Sequence, residues 1–149
     1  MRPTTRHIIV DGEAAPPLPV ITFAARQPGP TVVVTANMHG DETTGLFAAH
    51  ALIERITPAG PGRGTLVFMP SLNPEGLKNA SRVVPTDGND LNRAFPGRRR
   101  GRAAERMAER IWRELGQLKP DVVIDLHADS ALSIPYALLD RPVTLTQAA

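Results

Sequence analysis

The sequence contains no cysteine, and that absence removes disulfides, zinc–thiolate sites and thiol nucleophiles together. Histidine and carboxylate remain as the side chains able to hold a metal ion. Aromatic residues make up only 4% of the chain and do not interleave with its basic residues, so no stacking platform for nucleic acid is evident. No run approaches the roughly 18 apolar residues that a membrane span needs. The N-terminus, MRPTTRHIIVDG, lacks the apolar stretch of a secretory signal. A cytoplasmic location without a membrane partner is the expectation. A large excess of one charge is also lacking, because the formal net charge is +2. Arginines do gather in FPGRRRGRAAERMAER, where Arg98, Arg99, Arg100 and Arg102 offer a surface to an acidic partner or nucleic acid. The competing reading is a solvated loop entering a helix whose later arginines alternate with Glu105, Glu109 and Glu114. The solvated reading is preferred.

A chain of 149 residues suits one domain and can bury a core. HIIVDG and LPVITFAA have the composition of short strands separated by a proline-rich turn, EAAPP. TVVVTANMH is β-branched and apolar on both faces, as a buried strand of a parallel or mixed sheet should be. From Asp41 the period becomes helical through Leu46, Ala49, Ile53 and Ile56, and Thr57-Pro58 ends the segment. GTLVFMPSLN predicts another buried strand, followed by an NPEG turn. Residues 78–100 keep no period, and an unstructured stretch of this length in a compact domain is usually functional or disordered. Ala103 to Leu118 predicts a second amphipathic helix with Ala104, Met107, Ile111, Leu115 and Leu118 on one face. DVVIDLHA is a third buried strand and IPYALLD a further one. The alternation predicts an α/β fold with a mixed, largely parallel β-sheet flanked by helices.

In such sheets, sites gather at the carboxyl ends of the strands. His39 and Glu42 follow TVVVTA directly in the stretch NMHGDE, and His127 ends DVVIDL. If the two strands are parallel neighbours, three ligand-type side chains converge on one edge. Two histidines and a glutamate with the fourth position open to water form a catalytic zinc set. The alternatives are an ordinary polar turn, with Glu42 as a first-turn carboxylate favoured by the helix dipole, a role for which Asp41 is the better candidate. His7 and His50 lack the strand-end context. In DLNRAFPG, preceded by the isolated Arg82, guanidinium groups beside a metal suit a substrate carboxylate or a developing oxyanion. The other reading is a loop held by Arg–Asp pairing. Gly40 is expected to supply backbone freedom between His39 and Glu42.

Taken together, the MHGDE strand end, the NPEG turn, Arg82, DLNRAFPG and IDLHAD resemble the succinylglutamate desuccinylase/aspartoacylase family, a branch of the zinc carboxypeptidase-like hydrolases. The resemblance implies a zinc carboxypeptidase-like fold and Zn2+ held by His39, Glu42 and His127. It implies that Asn92 and Arg93 bind the substrate carboxylate and that Arg82 polarises the scissile carbonyl. Asp90 would orient His39, because such partners fix the tautomer of a metal-bound imidazole. Asp125 shares a strand face with His127 and is either a similar partner or simply buried and paired. The reaction implied is metal-assisted hydrolysis of the amide bond of an N-acyl amino acid or related carboxylate. The general-base glutamate of the family lies well downstream of the third ligand, and residues 128–149 contain no glutamate. Asp129 is not expected to replace it. Residues 1–149 are therefore expected to form a single incomplete domain, truncated at the C-terminus. They would be the N-terminal portion of a hydrolase or, alternatively, a non-catalytic metal-binding or assembly module. An incomplete sheet also leaves an open edge, which favours a homo-oligomer.

Overall fold

The computed structural model describes residues 3–10, 16–128 and 136–139. Five strands form one sheet: β1 (Thr4–Ile8), β2 (Leu18–Ala24), β3 (Thr31–Ala36), β4 (Thr65–Met69) and β5 (Val122–Leu126). Their order across the sheet is β1-β2-β4-β3-β5. The sheet is mixed: β4, β3 and β5 run parallel, while β1 and β2 join antiparallel at one side. β-branched residues dominate β3 because their stiff side chains suit a pleated, packed surface.

Three helices longer than one turn surround this sheet: α1 (Thr43–Ile56), the short α2 (Pro74–Lys78) and α3 (Ala103–Leu118). On one face α3 lays Ala104, Met107, Ala108 and Ile111 against Val20, Val33, Val67 and Met69. On the other, Ala49 of α1 joins Phe23, Val34, Ala36 and Phe68. Each large side chain removed from water in these two clusters contributes about 1.5–3 kcal/mol before entropy is counted. Alternation along β3 therefore feeds two cores, and the sheet is clamped between helices. α3 ends at Lys119, whose left-handed φ of 46° satisfies the last turn before Pro120 forbids continuation.

Several expectations shift. β1 is displaced towards the N-terminus relative to HIIVDG, and α1 begins at Thr43, not at Asp41. The NPEG turn is in fact the first part of α2, with Asn73 accepting from the Gly76 N–H at 2.9 Å. β5 is not a buried strand: Val122, Val123 and Ile124 are 44–48% exposed, because among the described residues β5 pairs on one side only, with β3. Of IPYALLD, residues 136–139 are described and lie in no strand; the remainder, Asp129 and most of EAAPP fall outside the described residues.

The stretch 78–100 is ordered by caps and bridges instead of periodicity. A β-bridge pairs Val84 with Asn89, and Leu91–Arg93 form a 3-10 turn. Asp87 accepts from the N–H of Ala104 at 3.0 Å, so a remote carboxylate caps α3, whose own N-cap residue is an arginine. Burial would raise the Asp87 pKa, but hydrogen bonds from the Ala104 and Asn89 amides outweigh it and hold it below the ordinary value. A depressed carboxyl stabilises the fold above its unfolded pKa, and this contribution is lost as pH falls through the folded value. Asp87→Ala is therefore expected to cost about 1 kcal/mol in urea unfolding at pH 7. The difference from wild type should shrink as pH drops below the ordinary aspartate range.

Candidate metal centre

β3 and β5 are adjacent and parallel, with Thr35 opposite Asp125 and Ala36 opposite Leu126. Both strands therefore release their polar residues at the same end. His39 is buried and His127 exposed, with 30% of its side chain open to solvent, and their ring centroids are 5.0 Å apart. Glu42, the N-cap residue of α1, turns its side chain away from the helix and between the two rings. Its Oε1 lies 2.7 Å from His39 Nδ1, and its Oε2 lies 3.0 Å from His127 Nδ1. The N–H of Ala128 donates to the same Oε2 at 2.9 Å, fixing the carboxylate plane. One donor atom from each of His39, Glu42 and His127 lies within 4.8 Å of the others.

The far nitrogen of each imidazole meets another carboxylate. His39 Nε2 is 3.1 Å from Asp90 Oδ1, and His127 Nε2 is 2.8 Å from Asp125 Oδ2. Asp125 in turn accepts from the Thr35 hydroxyl at 2.7 Å. Asp90 also caps the 3-10 turn through the Asn92 N–H at 2.8 Å, tying the DLNR segment to His39. Arg82 donates to Glu42 at 3.3 Å and to Asp90 at 3.4 Å, with half of its side chain open to solvent.

The charges reinforce one another. The Asp125 hydrogen bond and the nearby Glu42 carboxylate outweigh desolvation and raise the His127 pKa. Burial alone would raise Glu42, but the Ala128 amide and His39 pull it down. Asp90 and Asp125 are likewise lowered by their hydrogen bonds and histidine partners against the opposing effect of burial. The donor set fits a divalent cation: two imidazoles and a carboxylate face one point, and the outer imidazole nitrogens are held by carboxylates, the arrangement that fixes metal-bound histidine. A cation there would take the place of the Nδ1 protons.

The structure thus brings together His39, Glu42, His127, Asp90 and Arg82. Asn92 and Arg93 lie on the adjoining 3-10 turn, and their side chains make no hydrogen bond to the cluster among the described residues. Arg93 lines a cavity of about 380 Å³ shared with Asp90, Arg98 and Arg102. His7 and His50 are exposed and outside the cluster. Arg98, from the basic run, is paired with Glu105, as a solvated surface would have it. Asp41 precedes the cap of α1 and is exposed, so Glu42 takes the place at the helix N-terminus expected for Asp41.

The sequence alone leaves three of these residues unassigned: Asp125 stays open between two readings, and Asn37 and Thr35 carry none. A polar residue between a β-branched strand and a ligand histidine was the available signal for Asn37. Asp125→Asn or Asp90→Asn is expected to weaken divalent-cation binding about 10–100-fold by loosening one imidazole. Calorimetric titration of each variant checks this, and unchanged affinity in both would show that the carboxylates do not orient the rings.

Residues 28–148 match the profile of the succinylglutamate desuccinylase/aspartoacylase catalytic domain. The chain belongs to this family. It is 36% identical over 119 residues to N-alpha-acetyl-L-2,4-diaminobutyric acid deacetylase of Halomonas elongata, covering 78% of this chain and 34% of that protein. An aspartoacylase family protein from Mesorhizobium loti superposes with a TM-score of 0.76 at 35% identity, over 85% of this chain and 40% of that one. A metallo-carboxypeptidase from Burkholderia cenocepacia shares the fold with a TM-score of 0.72 at 18% identity, over 86% of this chain and 37% of that one. The fold is zinc carboxypeptidase-like, and the family is one of hydrolases. The chain spans about a third of the length of the curated relative. No helix among the described residues is long and apolar enough to cross a membrane.

Proposed function

We propose that this chain is the zinc-binding portion of a deacylase that hydrolyses the amide bond of N-acyl amino acids. The observation that carries the reading is the convergence of His39, Glu42 and His127, with Asp90 and Asp125 on the outer nitrogens of the two rings. Zinc bound there would supply Lewis acidity and lower the pKa of its water to about 7. His39 and His127 would hold the ion, with their orientation kept by Asp90 and Asp125. Arg82, anchored on Glu42 and Asp90 but half open, would present its guanidinium to the scissile carbonyl oxygen and to the charge developing there. Asn92 and Arg93 would grip the substrate carboxylate, Arg93 with a planar fork suited to it. Metal analysis of protein purified without chelator tests the reading. About one zinc per chain is expected, and a chain that takes up no zinc, with no change on His127→Ala, would end it.

A second reading has an observation of its own. Glu42, Asp90 and Asp125 are each bonded to a histidine, so none of these carboxylates is free to take a proton from water. This favours a metal-binding or assembly module that keeps the fold without turnover. Deacylase assays on N-acyl amino acids separate the two, since turnover by this chain alone rules the module out.

A further inference from the structure

The loop that carries two of the three ligands is shaped by a residue outside the chemistry just described. Asn37 is fully buried and adopts a left-handed φ of 54°, a region that most residues avoid and that glycine and, less freely, asparagine adopt. Its side-chain amide spans the loop. Nδ2 donates to the carbonyl oxygen of His39 at 3.0 Å and lies 3.3 and 3.4 Å from those of Gly40 and Glu42. Oδ1 accepts from the Ser71 hydroxyl at 2.8 Å, and the Asn37 carbonyl accepts from the Asn73 N–H at 3.0 Å. One amide plane thus links the ends of β3 and β4 to both ligand positions.

We propose that Asn37 is a positioning residue for the metal centre: its amide, oriented by Ser71, sets the spacing of His39 and Glu42 before any ion binds. The proposal rests on the zinc reading above. An asparagine retained only because it tolerates left-handed backbone would be replaceable by glycine without consequence, since glycine adopts that conformation freely. A positioning amide would not be. Its two N–H donors are shared among the carbonyls of His39, Gly40 and Glu42, and glycine supplies neither, so the loop loses that tie and samples spacings that do not fit an ion.

Asn37→Gly keeps the backbone conformation and deletes the amide, whereas Ser71→Ala keeps the amide and frees its plane. Zinc dissociation constants are measured by competition with a chromophoric chelator, alongside urea unfolding of the metal-free proteins. N37G is expected to lose about 10–100-fold in zinc affinity, the range seen when partners of metal ligands are removed. S71A should show a smaller loss in the same direction. The absorption bands of the cobalt(II)-loaded variants should shift from those of wild type, as a changed ligand geometry requires. N37G binding zinc within about twofold of wild type, with unshifted cobalt bands, overturns the inference. An affinity loss no larger than the unfolded fraction of N37G accounts for also overturns it. If N37G does not fold, S71A decides on the same readouts. Wild-type protein that binds no zinc overturns the zinc reading itself, which distinguishes that failure from this one.

Discussion

His127→Ala is expected to reduce zinc affinity by more than about 100-fold, exceeding what the loss of a ligand's hydrogen-bond partner costs. The imidazole is one of three donors converging on a single point, and no described residue stands ready to replace it: Asp125 sits on the far nitrogen of the ring and points to Thr35. Removing the ring also leaves Asp125 with one partner fewer and Glu42, among the described residues, with His39, Arg82 and the Ala128 amide. The fold should survive, because the side chain lies past the end of β5 and belongs to neither hydrophobic cluster. Zinc titration and circular dichroism together check the expectation. Loss of binding with an unchanged spectrum is the predicted pair, and retention of wild-type affinity would remove His127 from the ligand set.

The largest stability effect is expected at Gly40. A Cβ there would lie 1.9 Å from the Gly76 carbonyl carbon and 2.3 Å from the Leu77 nitrogen, inside the backbone of α2. Backbone cannot give way as a flexible side chain does, so Gly40→Ala is expected to cost at least the 1–3 kcal/mol typical of overpacking. The residue was expected to serve as a flexible link between His39 and Glu42. Its φ is not in the left-handed region, and its real function is close approach: Gly40 lets α2 and the Ser81 carbonyl, which accepts its N–H at 3.0 Å, pack against the ligand loop. Urea unfolding of G40A measures the loss. A midpoint equal to wild type would mean that α2 can slide away without penalty.

These cases show where the sequence was legible. His39, Glu42 and His127 stood out because β-branched runs mark strands and polar residues at their carboxyl ends mark sites, both local signals. α3 was bounded correctly because Ala104, Met107 and Ile111 repeat at helical spacing and Pro120 closes the segment. The reason for Gly40 was not legible, since it depends on a segment 36 residues away touching it. Asp87 capping α3, Asp90 joining His39 to the DLNR turn and Asn37 spanning the ligand loop are hydrogen bonds whose partners no periodicity announces. The exposure of β5 was hidden for a related reason: an apolar strand reads as buried whether or not a neighbour covers it.

β5 has a thermodynamic consequence. Glu42 and His127 are 85 residues apart in the chain, and their contact is made by a strand that, among the described residues, pairs on one side alone. Any tie between them closes a long loop, whose entropic cost grows only slowly with length. An ion held at the cluster would therefore couple its occupancy to the seating of β5, because it would bind the seated strand in preference to an unseated one. Changes that loosen β5 far from the His39–Glu42–His127 cluster are then expected to register as weaker metal binding, even where every donor atom is intact.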